Sequence, residues 1–187
     1  MRHTVLLLRS TPGLLLSLFI NLIVATAAMA VDDAVERGRQ LYLSAGGYGC
    51  QVCHGLVAHG AGQAGGAIRG ANLQALRTSL ESNAPMQPLL AVLPMEKQQI
   101  LAAYLLSLAD IPLLQLTFDQ AQWSLQAENF VSGQTVELVL YNGSFDSQTL
   151  DLSSLGLGTI EVAPLATESY RAVVQQDRLS LSDGKLF

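Results

Sequence analysis

The spacing of apolar residues changes character near residue 112. Before this point, apolar positions recur at intervals of three and four, which is typical of amphipathic helices. After it, apolar and polar residues alternate between turn signals such as Asn142-Gly143, which is typical of strands. The pattern predicts helices over 32–45, 72–82 and 94–109, with a helical turn at 50–54. It predicts strands at 113–118, 136–141, 159–162 and 170–174.

The first thirty residues have the pattern of an export signal. Arg2 and Arg9 give a positively charged start, and an apolar run over 14–28 follows. Ala28-Met29-Ala30 then fits the small-x-small pattern of a cleavage site. We therefore predict cleavage after Ala30 and a periplasmic location. The alternative is an uncleaved membrane anchor, because the apolar run nearly reaches the length that spans a bilayer.

Charge is distributed unevenly along the chain. The 187 residues carry 10 basic and 15 acidic side chains, and residues 1–30 hold two of the basic ones and no acid. Residues 31–112 carry six acids and five bases, whereas residues 113–187 carry nine acids and three bases. An acidic chain without basic runs argues against nucleic acid as a partner. Charge and periodicity change together, which predicts two domains, 31–112 and 113–187, after a signal peptide.

Cys50-Gln51-Val52-Cys53-His54 is the most chemically specific stretch of the chain. C-x-x-C-H is the attachment signature of a c-type haem. The two-residue gap places both sulfurs on one edge of the porphyrin, and the histidine follows where it can bind the iron. We therefore predict that Cys50 and Cys53 tether one haem c covalently and that His54 is an axial ligand of its iron. An export signal agrees with this prediction, because haem attachment takes place outside the cytoplasm.

Three other roles are open to these cysteines. Two cysteines in an exported protein can form a disulfide. A thioredoxin-like redox motif would need a strand before it, but a predicted helix and a glycine-rich turn precede Cys50. A zinc site that also used His54 and His59 would crowd four ligands into ten residues. The complete C-x-x-C-H motif and the export signal together favour haem.

Residues 31–112 resemble a small class I cytochrome c domain. The order of the pieces carries this resemblance as well as the haem motif. Gly38 and Tyr42 match the glycine–aromatic pair of the family's N-terminal helix, and Leu101 and Tyr104 match the pair on its C-terminal helix. The resemblance implies an all-helical domain in which these two helices cross and the haem edge is partly exposed.

The sixth ligand of the iron decides between electron transfer and ligand binding. A methionine opposite the histidine raises the reduction potential and blocks small ligands. Met86 stands in a proline-flanked loop where the family places its ligand, so the resemblance implies Met86 as the second axial ligand. Met95 and His59 are weaker candidates, and the ordinary role of a methionine is to fill gaps in a core.

Two positions after the motif bear on how the haem would be held. The family often has a proline here whose carbonyl binds the second nitrogen of the iron histidine, whereas this chain has Gly66. A backbone carbonyl can still accept that bond. Arg69 could pair with a haem propionate, and the alternative is a solvated arginine in a loop.

Residues 113–187 look like a shortened cupredoxin-type β-sandwich. The segment 130–142, a glycine-led turn into a strand that ends in asparagine, carries this weaker likeness. Blue-copper sites need two histidines and a cysteine, and the chain has neither residue type beyond position 59, so we predict no copper. An accessory β-sandwich of another kind is the alternative.

These features predict an α + β chain of two domains, an all-α class I cytochrome c domain followed by a small cupredoxin-like β-sandwich. The predicted function is that of a periplasmic monohaem cytochrome, not an enzyme, that passes single electrons between an oxidase, a dehydrogenase or another cytochrome. The acidic β-domain would steer docking, or would simply be soluble. Two other functions stay open: a haem-bearing subunit of a larger respiratory complex at the membrane, or a haem enzyme or gas-binding protein with an open sixth site.

Overall fold

The structure is a computed structural model that describes residues 33–62 and 64–175. The expected export signal, residues 1–30, lies outside these ranges, so cleavage after Ala30 stays a prediction. In the part of the chain that is described, no helix combines the length and the apolar character that crossing a bilayer requires.

Four short α-helices make up the first half of the structure. They are α1 (33–44), α2 (Gln51–His54), α3 (Leu73–Ser82) and α4 (Met95–Ser107). Local sequence explains two of their starts. Asn72 caps α3 by accepting a hydrogen bond from Ala75 N at 2.9 Å, and Pro94 stands directly before α4. The predicted helical segments are confirmed to within two residues.

Helices α1 and α4 cross at Gly38. A Cβ atom at this position would lie 2.4 Å from the carbonyl oxygen of Ile100 and 2.6 Å from Cβ of Tyr104, so only glycine permits the approach. The rings of Tyr42 and Tyr104 pack against each other with centroids 5.5 Å apart. The crossing expected from these residues is confirmed. Beside it lies the core of the helical half, formed by Leu76, Leu80, Leu93, Leu101, Leu105 and Leu108.

Six strands make up the second half of the structure. They are β1 (Leu113–Asp119), β2 (Gln122–Ala127), β3 (Thr135–Asn142), β4 (Gln148–Asp151), β5 (Thr159–Val162) and β6 (Thr167–Val173). Four of them form a sheet of order β2-β1-β3-β6, and β4 pairs with β5 alone. The larger sheet is mixed, because β1 runs parallel to β3 and the other pairs are antiparallel. The four predicted strands are confirmed, and β2 and β4 were not predicted.

The four-stranded sheet is covered on both faces. Alternate residues of β1, β3 and β6 form one core with the β4–β5 pair: Leu114, Leu116, Leu138, Leu140, Leu150, Val162 and Ala172. The intervening residues face the helical half, where Leu113 and Val139 pack against the buried Val57. The sheet is therefore a middle layer, with helices and loops on one side and the two-stranded sheet on the other.

The predicted fold class, an all-α class I cytochrome c domain followed by a small cupredoxin-like β-sandwich, is wrong. The described residues form short helices, a mixed four-stranded sheet and a separate two-stranded sheet, and they contain no all-α cytochrome domain. Residues 64–72 and 83–94 contain no α-helix. Periodicity identifies each element separately, whereas the fold class depends on which faces meet. Here Val57, from a loop of the helical half, completes the covering of the sheet.

Asn142, at the end of β3, is fully buried and ties the β half together. Its Nδ2 donates to three backbone carbonyls at 2.8 to 3.0 Å, and its Oδ1 accepts from the backbone N and Oγ of Ser144. We expect Asn142→Ala to lower the free energy of unfolding by about 3 kcal/mol, because each buried group left unpaired costs roughly 1 kcal/mol or more. Urea denaturation measures this loss. Thr149→Ala, at an exposed position of β4, is the control, and equal losses in both variants would contradict the role.

Candidate functional site

The C-x-x-C-H segment forms a single tight turn attached to the end of α1. The backbone N–H of Cys50 donates to the carbonyl of Tyr42 at 2.7 Å, and that of His54 donates to the carbonyl of Cys50 at 2.9 Å. The hydroxyl of Tyr42 donates to the carbonyl of Gly55 at 2.6 Å, just beyond the motif. Tyr42 therefore holds both ends of the turn, and the α1–α4 crossing is connected directly to the motif.

The two thiols of the motif lie in different surroundings. Cys50 is half-buried and packs against the core of the helical half, whereas Cys53 is exposed. Burial raises the pKa of the Cys50 thiol to about 11. The motif therefore presents one sulfur from the edge of the core and one from the surface.

This difference should appear in alkylation of the haem-free chain. At pH 8, a thiol of pKa 11 is only about 0.1% thiolate, and the thiolate is the reactive form. We expect iodoacetamide to modify Cys53 at least tenfold faster than Cys50, because Cys53 is exposed and Cys50 is half-buried. Single variants Cys50→Ser and Cys53→Ser, followed by mass spectrometry, isolate each rate. Equal rates would show that Cys50 is not shielded as the structure has it.

The imidazole of His54 is oriented by the loop that follows the motif. Its Nδ1 lies 2.8 Å from the carbonyl oxygen of Gly66. A carbonyl only accepts, so Nδ1 carries the hydrogen, and in the neutral imidazole Nε2 then has the lone pair, the arrangement usual for a metal-binding histidine. The expectation that the Gly66 carbonyl takes this bond is confirmed.

Glycines let this loop approach the motif more closely than any side chain would permit. A Cβ atom on Gly62 would lie 2.3 Å from the carbonyl oxygen of Cys53, and one on Gly65 would lie 2.5 Å from Nδ1 of His54. The N–H of Gly65 also donates to the carbonyl of Cys53 at 2.7 Å. Gly66, in contrast, has no atom within 4 Å of the position of a Cβ. The run of glycines thus positions a carbonyl against the imidazole.

Met86 is held at the edge of the same core as Cys50. Its N–H donates to the carbonyl of Asn83 at 2.8 Å, and Nδ2 of Asn83 lies 3.8 Å from its sulfur. The 3₁₀ turn that follows, Gln87–Ala91, lies against the loop that leads into the motif, since a Cβ on Gly46 would lie 2.9 Å from the side chain of Leu89. A thioether is a weak acceptor with two lone pairs, so the contact with Asn83 leaves one for another partner.

The other candidate ligands lie elsewhere. Met95 is the first residue of α4 and its side chain is 42% exposed. His59 lines a cleft beside the sheet, and burial, with a smaller contribution from Arg69, lowers its pKa. Among the described residues, no three His, Cys, Asp or Glu side chains are grouped so that they could hold a metal ion.

Arg69 has a role that neither sequence interpretation anticipated. Its guanidinium donates to the carbonyls of Val57, Leu108 and Ile111. It therefore joins the loop after the motif to the end of α4, where a cation is favourable for the exposed helix carbonyls. Burial lowers its pKa. Three of its five donors are occupied by backbone carbonyls, so we assign it to this structural role in place of a solvated or propionate-binding one.

The structure packs Cys50 and Met86 against one helical core, and it places Cys53 and His54 on the turn that follows Cys50, with the imidazole fixed through Nδ1. The contacts of Asn83 and Arg69 were missed by sequence reasoning, because their partners are a sulfur and backbone carbonyls that no motif marks. Comparisons with protein-family models, with curated proteins and with solved structures gave no match.

Proposed function

We propose that the chain carries one haem c, tethered through Cys50 and Cys53 with His54 and Met86 as axial ligands, and that it passes single electrons between proteins in the periplasm. The observation that carries this proposal is the hydrogen bond from Nδ1 of His54 to Gly66 within a C-x-x-C-H motif. A histidine whose Nδ1 is already committed offers Nε2 alone to iron.

The side chains in this part of the structure are of the types that covalent attachment and axial ligation of a haem c require. Two thiols stand on one helical turn, one imidazole nitrogen is free, and one thioether is held in a loop at the edge of the same core. When bound, the haem supplies one-electron chemistry between Fe(II) and Fe(III). The protein supplies the ligands and an apolar surrounding that includes Leu80 and Leu93, and both tune the reduction potential.

Charge on the β half supports docking to a basic redox partner. Among the described residues of this half, the exposed acidic side chains are Asp119, Glu128, Asp146, Asp151 and Glu161. Arg171, the one basic residue described in this half, is paired with Glu137 at 2.9 Å. A surface of one sign attracts an oppositely charged partner and speeds encounter. The oxidase, dehydrogenase or cytochrome that receives the electron would therefore present a basic face.

Absorption spectra of the protein matured with haem test the proposal. We expect a haem that acid–acetone extraction does not remove, a low-spin spectrum in both oxidation states with a methionine–iron charge-transfer band, and no response to carbon monoxide. An extractable haem would contradict covalent attachment. A high-spin haem that binds carbon monoxide would favour the alternative, a haem enzyme or gas-binding protein with an open sixth site. Sedimentation of the native protein separates a free carrier from a subunit of a larger complex.

Met86→Ala tests the second axial ligand. Removing the thioether opens the sixth position, so we expect a carbon monoxide-binding haem and a reduction potential lower by on the order of 0.1 V, since axial ligands set haem potentials over roughly 0.8 V. Met95→Ala is the control, because Met95 is an exposed methionine nine positions later. A spectrum that Met86→Ala leaves unchanged would exclude Met86 from the iron.

A further inference from the structure

The β half presents two large apolar side chains on adjoining loops. Phe145, in the loop between β3 and β4, is 83% exposed, and Leu165, in the loop between β5 and β6, is 52% exposed. The N–H of Leu165 donates to the carbonyl of Ser144 at 3.1 Å, so the two loops are in contact. A single exposed apolar residue needs no explanation, but neighbouring ones are a feature of interaction sites. We call these two side chains the apolar tip.

Hydrogen bonds to one buried side chain hold both loops of the apolar tip in place. Nδ2 of Asn142 donates to the carbonyl of Asp146 on one loop at 2.8 Å and to that of Ala163 on the other at 3.0 Å. Oγ of Ser144 donates to Oδ1 of Asn142 at 2.8 Å. A side chain presented by a fixed loop loses little conformational freedom when a partner binds, so the tip is preorganised for contact.

Leu165 adopts a backbone conformation that disfavours leucine. Its φ is 56°, at the third position of a turn that the N–H of Ala166 closes by donating to the carbonyl of Ala163 at 3.2 Å. Glycine or asparagine usually occupies this position, because a larger side chain is crowded at positive φ. The leucine side chain gains little burial in return. An apolar side chain held in solvent at a strained position fits a role in binding better than one in folding.

The surroundings of the apolar tip are acidic. Three exposed carboxylates lie at the same end of the sheet, from the end of β1, the loop after β3 and the end of β5: Asp119, Asp146 and Glu161. Arg171, the one basic residue described in this half, pairs with Glu137 near the start of β3, towards the opposite end. The described part of the β half therefore offers an apolar centre with an acidic rim.

This end of the sheet also faces the C-x-x-C-H motif. Tyr141 and Thr167, which are paired between β3 and β6, line a cleft whose other wall includes Val52 of the motif. These two residues lie four positions before one side chain of the apolar tip and two positions after the other. A protein seated on the tip would therefore lie beside the turn that carries the two cysteines.

We propose that the apolar tip is the anchor by which this chain docks on a basic protein, one whose surface presents an apolar pocket rimmed by lysine or arginine side chains. Phe145 is the central contact, because aromatic side chains carry much of the binding energy of interfaces. The acidic rim attracts and orients the partner. It also repels a second copy of this chain and an anionic membrane. The surface itself does not require haem, and only its use in electron transfer rests on the proposed function.

Photo-cross-linking in the native cell tests the docking. Phe145 is replaced by p-benzoylphenylalanine, which bonds covalently under ultraviolet light to the molecule it touches. The same replacement at Val131, which is 64% exposed and lies before β3 at the opposite end of the sheet, is the control. We expect position 145 to cross-link a protein at least tenfold more efficiently than position 131. Mass spectrometry should map the bond to a surface of that protein with lysine or arginine beside it.

Other outcomes of this experiment would overturn the proposal. Equal yields at positions 145 and 131 would show that the apolar tip is not an interface. A cross-link to a second copy would make it a surface for self-association. A cross-link to lipid, matched by co-sedimentation with phosphatidylglycerol vesicles, would make it a membrane contact. A partner surface without basic residues would contradict the role of the acidic rim.

Affinity for the purified cross-linked protein measures the contribution of each side chain. Phe145→Ser should weaken binding at least tenfold, and high salt should weaken binding of the unaltered chain. Leu165→Gly should weaken binding about threefold without lowering the midpoint of urea unfolding, because glycine accepts the positive φ. Val131→Ser is the control and should keep full affinity. Unchanged affinity in both Phe145→Ser and Leu165→Gly would overturn the proposal.

Absorption spectra separate this proposal from the proposed function. Phe145 lies outside the core that contacts Cys50 and Met86, so Phe145→Ser should leave the haem spectrum unchanged. A low-spin haem in a protein that does not cross-link at position 145 would refute the docking surface alone. Specific cross-linking to a basic partner by a chain that takes up no haem would retain the surface and refute the proposed function.

Discussion

Gly65→Ala is expected to disrupt the proposed ligation of the haem iron by His54, whereas Gly66→Ala, at the next position, is expected to preserve it. A methyl group on Gly65 would lie 2.5 Å from Nδ1 of His54, 2.6 Å from its Cε1 and 2.7 Å from the carbonyl oxygen of Cys53. A Cβ atom does not approach non-bonded heavy atoms so closely, so the imidazole must turn away. It then loses the 2.8 Å hydrogen bond to Gly66 that fixes its orientation.

The neighbouring variant makes the comparison specific. A methyl group on Gly66 meets no atom within 4 Å, and the backbone there does not have a positive φ. Alanine also keeps the carbonyl that accepts from His54. Gly66→Ala therefore changes composition and loop entropy in the same way as Gly65→Ala but leaves the imidazole undisturbed.

The size of the effect follows from overpacking. Extra carbon atoms in a filled site cost about 1–3 kcal/mol, which shifts the ligation equilibrium by roughly 5- to 150-fold. We expect Gly65→Ala to give a mixed or high-spin haem and a lower yield of attached haem, measured by absorption spectroscopy of the matured protein. If Gly65→Ala and Gly66→Ala gave the same low-spin spectrum, the Gly66 carbonyl would not be positioning the iron ligand.

Sequence predicted the parts of the molecule that depend on local pattern. Helices and strands with clear periodicity were placed to within a few residues, and the resemblance to cytochrome c indicated Gly66 as the residue whose carbonyl could accept the bond from His54. Strand β2 was missed because the turn before it carries no glycine or asparagine. Gln120 and Ala121 both adopt positive φ there, of 49° and 62°, a conformation usually marked by Asn-Gly. Alternation in Gln122–Ala127 rests on Trp123 and Leu125 alone.

The parts that sequence did not predict depend on distant partners. The parallel pairing of β1 with β3 and the packing of Val57 on the sheet join elements that the pattern identifies one at a time. The guanidinium of Arg69 reaches carbonyls 39 and 42 residues away, which no spacing rule indicates. The cleft beside the motif has the same origin, because it exists only where the two halves meet. The fold class assigned from resemblances of the two halves, one to a cytochrome c domain and one to a cupredoxin, was therefore wrong.

Gly38→Ala is expected to cause the largest loss of stability among single-methyl changes in the helical half. Two effects oppose each other. Alanine is a better helix former than glycine by about 0.5–1 kcal/mol, which would stabilise α1. Against this, the new methyl would lie 2.4 Å from the carbonyl oxygen of Ile100 and 2.6 Å from Cβ of Tyr104, atoms fixed to the backbone of α4 that cannot turn away.

We expect the packing cost to exceed the gain in helix propensity, because the two helices must separate to make room for the methyl group. Separation weakens the contact between the rings of Tyr42 and Tyr104 and opens the core around Leu101. We expect a net loss of about 3 kcal/mol, at the upper end of overpacking costs. Arg37→Ala is the matched control on the same helix: Arg37 is exposed and makes only long ion pairs at 3.6 and 3.9 Å, so it should change stability by about 0.5 kcal/mol or less.

Gly38→Ala should also displace the C-x-x-C-H motif. Tyr42 accepts a hydrogen bond from the backbone of Cys50 and donates one to Gly55, so moving α1 away from α4 also displaces the C-x-x-C-H turn, which carries three of the four proposed haem-binding residues. We therefore expect Gly38→Ala to lower both the midpoint of urea unfolding and the yield of attached haem, and Arg37→Ala to lower neither. A stabilised Gly38→Ala protein would mean that helix propensity outweighs packing and that the two helices do not cross in contact at this residue.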